Sequence, residues 1–156
     1  MNTRTFDIKL IGDFESTIAL EGGRTFIFFQ LAFDLLNIDL TKINYFEVGP
    51  KHGLHTQLID TLNPLSITCV EAPCKLRNKK WNNHINWVKN IENDNFIISY
   101  EDFSDYTTSK KFDVLNYSGV IYHNINQISH LEKLYDLAET GAYLIIESSI
   151  ARTEEY

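Results

Sequence analysis

The sequence predicts an α/β fold, a doubly wound and mostly parallel sheet with helices on both faces, and three observations carry that expectation. Short apolar runs alternate with amphipathic ones along most of the chain. A glycine turn, Gly49-Pro50-Lys51-His52-Gly53, joins the first apolar run to a helical one directly behind Glu47. Polar residues close the later apolar runs in chain order: Glu71, then Asp102 with Phe103, then Asn116 with Tyr117. Parallel neighbours need crossovers of a dozen residues or more, so this alternation implies a parallel sheet covered on both sides. The carboxyl ends of such strands share one edge, where open α/β sheets take their ligands.

Residues 1–23 are polar and mixed, broken by Gly12 and Gly22-Gly23, and read as a lead-in to a single domain over residues 24–156. A helix is expected from Arg24, because Phe26, Phe29, Phe33 and Leu36 repeat at three- and four-residue spacing. The first strand is placed over residues 43–48, the helix after the glycine turn over 54–62, and the second strand over 66–70. Pro73 suits the start of a helix running from Cys74 into residues 81–88. Asn93-Asp94-Asn95 is a turn cluster before a third strand at 96–100, and a fourth strand follows at 112–117. Residues 127–138 read as a helix with Ile128, Leu131, Leu134 and Leu137 inward, stopped by Gly141 before a fifth strand at 142–147.

Composition bounds the function. At 156 residues, 44% hydrophobic and 13% aromatic, the chain can bury a core as one domain. A net charge of −7 argues against general nucleic-acid binding, which rests on neutralising phosphates. Cys69 and Cys74 are too few for a disulfide framework or a zinc site. With no signal-peptide pattern and no apolar window long enough to span a bilayer, a reduced, cytoplasmic protein is expected.

The strand-end residues suggest a nucleoside-bearing ligand. Glycines let the backbone approach a ligand closely. Glu71 lies 24 residues beyond Glu47, a spacing suited to an acid that accepts hydrogen bonds from ribose hydroxyls. Asp102 beside an aromatic ring suits an exocyclic amine and a purine face. Each acid also has a plainer reading, since strand ends are often capped by Asp or Glu for solubility.

Taken together, Phe46-Glu47-Val48-Gly49-Pro50-Lys51-His52-Gly53, Val70-Glu71, Glu101-Asp102-Phe103 and the block from Phe112 to His123 resemble the class I S-adenosylmethionine-dependent methyltransferases. Gly119-Val120-Ile121-Tyr122-His123 is the most specific part. The resemblance covers residues 43–147 and implies a Rossmann-like fold with S-adenosyl-L-methionine as cofactor. It implies that Glu47, Gly49, Pro50, Lys51 and Gly53 hold the methionine portion, Glu71 the ribose, Asp102 and Phe103 the adenine, and Asn116 with Tyr117 the wall near the sulfonium. The methyl acceptor, small molecule or macromolecule, is not named by the sequence.

Two departures from the family pattern stand out. Lys51 occupies a turn position where the family often has glycine. The family's sheet continues with two further strands, whereas few residues follow position 147 here, so an open edge and self-association are expected. The other class of reading is a non-catalytic Rossmann-like nucleoside-binding or interaction module. A nicotinamide dinucleotide fits less well, because residues 49–54 lack the second and third glycines of that fingerprint.

His123 is the catalytic candidate, a base for the acceptor's proton; the competing reading has it capping the next segment or packing on Tyr122. His52 and His55 lack the neighbours of a metal site and read as solvated or capping. Lys75, Arg77, Lys79, Lys80 and Lys89 read as the exposed side of a helix whose Trp81 and Trp87 pack inward.

Overall fold

The computed structural model describes residues 38–51, 53–73 and 87–148. Five strands form one sheet: β1 (Asn44–Val48), β2 (Ser66–Val70), β3 (Phe96–Ser99), β4 (Phe112–Ser118) and β5 (Ala138–Glu147). Their order is β3-β2-β1-β4-β5, and every pairing is parallel. The chain steps outward from β1 to β3, then returns to lay β4 on the other side of β1. Strand order therefore reverses between β1 and β4, and a crevice opens beyond the carboxyl ends of such a pair. Glu47 sits opposite Asn116 across that switch point and opposite Cys69 on its other flank.

Two core clusters lie on opposite faces of the sheet, as strand alternation requires. Tyr45, Ile67, Cys69, Val114 and Ile145 pack with Leu58 and Ile59 of α1 (Leu54–Asp60). Phe46, Val70, Leu115 and Tyr117 pack with Leu134 and Leu137 of α2 (Gln127–Leu137). β2 is buried at all five positions, as an inner parallel strand should be. Each large apolar side chain so buried contributes about 1.5–3 kcal/mol.

Most expected elements are present with shifted ends. α1 stops at Asp60 because Asn63 takes a left-handed φ of 52° and Pro64 follows. The largest correction concerns Gly141, expected to stop a helix. α2 already ends at Leu137, and β5 begins at Ala138 opposite Phe112. Val114 then pairs with Tyr143, so the residues between form a bulge that contains Gly141 with φ 82°. A second correction concerns the inner face of α2. Ile128 is 65% exposed, while His130 is buried beside Leu134. Residues 1–23, the helix expected from Arg24 and most of the one expected from Cys74 lie outside the described residues. Trp87 and Val88 are helical, and Trp87 is buried as expected. Among the described residues no helix is long and apolar enough to cross a membrane.

Candidate functional site at the carboxyl ends of the strands

The turn after β1 depends on left-handed backbone: Gly49, Lys51 and Gly53 have φ of 68°, 51° and 67°. Gly53 N–H donates to Pro50 O at 2.7 Å, closing the turn at the start of α1. Lys51 thus adopts a conformation that favours glycine, and it is exposed. Its N–H donates to Glu71 Oε2 at 2.9 Å, which ties the turn after β1 to the end of β2.

The two buried acids of the site differ in what remains for a ligand. An ionised carboxylate has about four acceptor positions. Glu47 Oε2 accepts from Thr56 Oγ1 at 2.6 Å and Tyr45 OH at 3.2 Å. Its Oε1 takes Asn116 Nδ2 at 3.2 Å and faces His55 Nδ1 at 3.3 Å. With the His55 proton on Nδ1, all four positions are used within the protein. Among the described residues, Glu71 accepts the Lys51 N–H and, on Oε1, the Ala72 N–H at 3.0 Å. Both acids are nearly inaccessible, at 3% and 2% exposure.

The remaining expected residues are placed unevenly. Asn116 joins the Glu47 network, and its Oδ1 accepts from Ser118 Oγ at 2.5 Å. The rings of Phe103 and Tyr117 instead sit in the core, 5.9 Å apart, so what they offer a ligand is main chain. Asp102 is exposed and receives the Ser104 N–H at 2.9 Å; that bond holds its carboxyl below the usual range. His123 is exposed, with its ring 4.3 Å from that of Tyr122. Gly49 faces Val120: a Cβ there would stand 3.0 Å from Val120 Cγ2. His52 and the bulk of the basic run lie outside the described residues. His55 corrects the expectation of a solvated or capping histidine, since it is mostly buried against Glu47 and Asn116. Its position two residues after Gly53, one helical step from Thr56, was the available signal. Among the described residues no cluster of ligating side chains could hold a metal ion.

No family model matches the chain, and no curated protein does. Solved structures do. Coclaurine N-methyltransferase superposes with a TM-score of 0.61 at 15% identity, over 78% of this chain and 34% of that one. The N-methyltransferase NodS of Bradyrhizobium japonicum WM9 gives 0.60 at 13%, over 87% and 71%. A putative sarcosine dimethylglycine methyltransferase of Galdieria sulphuraria gives 0.60 at 14%, over 83% and 48%. The fold is that of the class I methyltransferases. The chain spans about a third of coclaurine N-methyltransferase and under half of the Galdieria protein.

Beneath the methyltransferase-fold site lies a polar group that the sequence reading missed. His130 of α2 is 6% exposed, with Tyr117 OH on Nδ1, Ser104 Oγ 3.0 Å from Nε2, and Asn124 Nδ2 against the ring, 2.8 Å from Nδ1 and close to Nε2 as well. A neutral imidazole with its proton on Nε2 fits Ser104, to which Nε2–H donates, and leaves the Nδ1 lone pair for Tyr117 OH and Asn124 Nδ2. Burial pushes the His130 pKa down, against the charge of Asp102 and with that of Lys133, and pushes the Tyr117 phenol up to about 12. The unfolded histidine takes its proton near pH ~6.5 while the folded one resists it, so more protons bind the unfolded chain there. The stabilisation is therefore complete above that pH and is lost as pH falls through it toward the folded value. Denaturation midpoints should drop between about pH 7.5 and about pH 5.5. His130→Gln should flatten that drop; an equally steep profile in the variant would assign it to other groups.

Proposed function

We propose that this chain is the core of an S-adenosylmethionine-dependent methyltransferase, which moves the sulfonium methyl group to an acceptor by in-line displacement. The sulfur–methyl bond breaks as the acceptor–methyl bond forms, and the sulfonium supplies its own leaving group. One observation carries the reading: Glu71, held at the mouth of the glycine turn, meets two donors among the described residues, about half its acceptor capacity, while its neighbour Glu47 is ringed by Thr56, Tyr45, Asn116 and His55. A ribose diol needs two such acceptor positions on one carboxylate. The coclaurine enzyme that shares the fold is described as bound to S-adenosylhomocysteine, and so is NodS.

On this reading Gly49, Pro50, Lys51 and Gly53 line the methionine portion, and Glu47 with Asn116 braces the floor beneath it. Asp102 and the main chain at Phe103 meet the adenine, and the main chain at Tyr117 borders the sulfonium. His123 receives the acceptor's proton where the acceptor carries one to lose; its exposure suits exchange with water. The tilted contact of the His123 ring with Tyr122, away from any described carboxylate partner, favours a second reading, a nucleoside-binding module without turnover.

Calorimetric titration with S-adenosylhomocysteine tests the cofactor. Hydrogen bonds to charged groups contribute about 1.5–3 kcal/mol, so Glu71→Ala should weaken binding about 10–150-fold. No heat from the wild-type chain at millimolar ligand overturns the assignment; an unchanged affinity in a folded Glu71→Ala chain places the ribose elsewhere. Binding without methyl transfer to any acceptor in a cell extract selects the module.

A further inference from the structure

The carboxyl ends of β4 and β5 lie side by side next to the glycine turn. Ser118 pairs with Glu147 across the ladder, and the Gly119 N–H donates to Glu147 O at 2.9 Å. The chain then turns through Gly119, whose φ is 69°. Val120 passes against the turn after β1, its Cγ2 3.0 Å from where a Cβ on Gly49 would stand. The segment from Gly119 to His123 therefore borders the methionine end of the proposed cofactor site.

Over Gly119 two side-chain oxygens converge. A Cβ there would lie 3.6 Å from Glu147 Oε2 and 3.8 Å from Tyr122 OH, and beyond the flanking residues no other described atom comes within 4 Å of it. A small group held over Gly119 thus has a carboxylate and a phenol oxygen as its nearest described neighbours. Both oxygens accept hydrogen bonds, and an ionised carboxylate has no proton to give. Among the described residues no cation pairs with Glu147. Around the neighbouring strand ends Glu47, Glu71, Glu101 and Asp102 outnumber Lys51 and Lys133, in a chain of net charge −7. A cleft lined by one sign of charge raises the local concentration of ligands of the other sign.

We propose that Glu147 and Tyr122 form the acceptor subsite and that the acceptor is a cationic amine, its ammonium held over Gly119 by the Glu147 carboxylate with the Tyr122 hydroxyl beside it. This names the substrate class of the methyltransferase reading and rests on that reading. A phosphate or carboxylate acceptor would meet Glu147 with like charge, and a neutral alcohol would gain nothing from it. An ammonium has no lone pair, so it must lose one proton before it can take a methyl group. His123, whose ring lies 4.3 Å from that of Tyr122, is the described group placed to receive that proton and pass it to water. The nitrogen–methyl bond then forms as the sulfur–methyl bond breaks, and the product leaves as an ammonium again.

Benzylamine and benzyl alcohol share a ring and differ in charge, and NMR titration of the 156-residue chain with each, with and without S-adenosylhomocysteine, reads the subsite directly. Because Glu147 is exposed, the amine should bind more tightly than the alcohol by about threefold to fivefold. The gap should shrink in about 1 M salt, where the screening length falls to about 3 Å. Glu147→Gln should close it with unchanged circular dichroism, and Tyr122→Phe should narrow it. Equal affinities, binding of neither probe, or a gap that survives in Glu147→Gln overturns the proposal. If S-adenosylhomocysteine gives no heat, an amine preference that still needs Glu147 supports the cation subsite and strikes only the methyl-donor reading.

Discussion

Gly53→Ala is expected to destabilise the fold by about 3 kcal/mol, a large effect for one added methyl group. The backbone there is left-handed, φ 67°, which costs an alanine about 1–2 kcal/mol. The new Cβ would also stand 2.2 Å from Trp87 Cδ2 and 2.5 Å from Cε2 and Cε3. These atoms belong to the rigid indole, and Trp87 is 2% exposed and set edge-on to Phe96, so the ring has little room to yield. Movement of the indole would also strain its Nε1–H bond to Lys51 O, at 3.4 Å. For a chain of this size the melting temperature should fall about 6–12 °C. Gly141→Ala is the matched control: φ is 82°, but nothing lies within 4 Å of its would-be Cβ. It should cost only the backbone share. Equal losses in the two variants would show that Trp87 moves aside freely and that the glycine turn is not fixed by that contact.

What the sequence made legible follows from where the information lies. β2 could be placed to the residue because Ser66 to Val70 is apolar or small throughout and bounded by Pro64 and Glu71, and a strand buried on both faces needs no more. The turn was legible because left-handed backbone selects glycine locally. β5 was harder. Gly141 signals positive φ equally well in a helix stop and in a bulge, and only pairing with Phe112 and Val114, far away in sequence, decides between them. The inner face of α2 was misread for a related reason. His130 is polar, so an apolar stripe drawn from Ile128 passed over it, yet Tyr117 and Ser104 satisfy both ring nitrogens and let it be buried. The site shows the same limit. Strand-end acids were visible in order, but that Glu47 is saturated and Glu71 half-used depends on Tyr45, Thr56, His55 and Asn116 meeting from three elements.

Glu47→Ala is expected to cost about 3–5 kcal/mol, since it removes the acceptor for several buried donors at once. Tyr45 and Thr56 are fully buried and Asn116 is 1% exposed, so water cannot replace the lost oxygens without opening the core. Two fallbacks soften the loss: Thr56 Oγ1 lies 3.6 Å from Cys69 Sγ, and Asn116 Nδ2, 3.0 Å from His55 Nδ1, can donate to it once the ring carries its proton on Nε2. Glu47→Gln keeps the shape and one oxygen, which can still accept from Thr56 and Tyr45. Its amide must then face the Asn116 Nδ2, donor against donor, at a cost nearer 1–2 kcal/mol. That variant should remain folded. Because the native carboxylate has no acceptor position to spare, Glu47→Gln should change S-adenosylhomocysteine affinity by less than about fivefold, in contrast to Glu71→Ala. Chemical denaturation read beside calorimetric titration separates the two quantities. A folded Glu47→Gln chain that loses affinity as steeply as Glu71→Ala would mean that Glu47 exchanges one of its protein partners for the cofactor on binding.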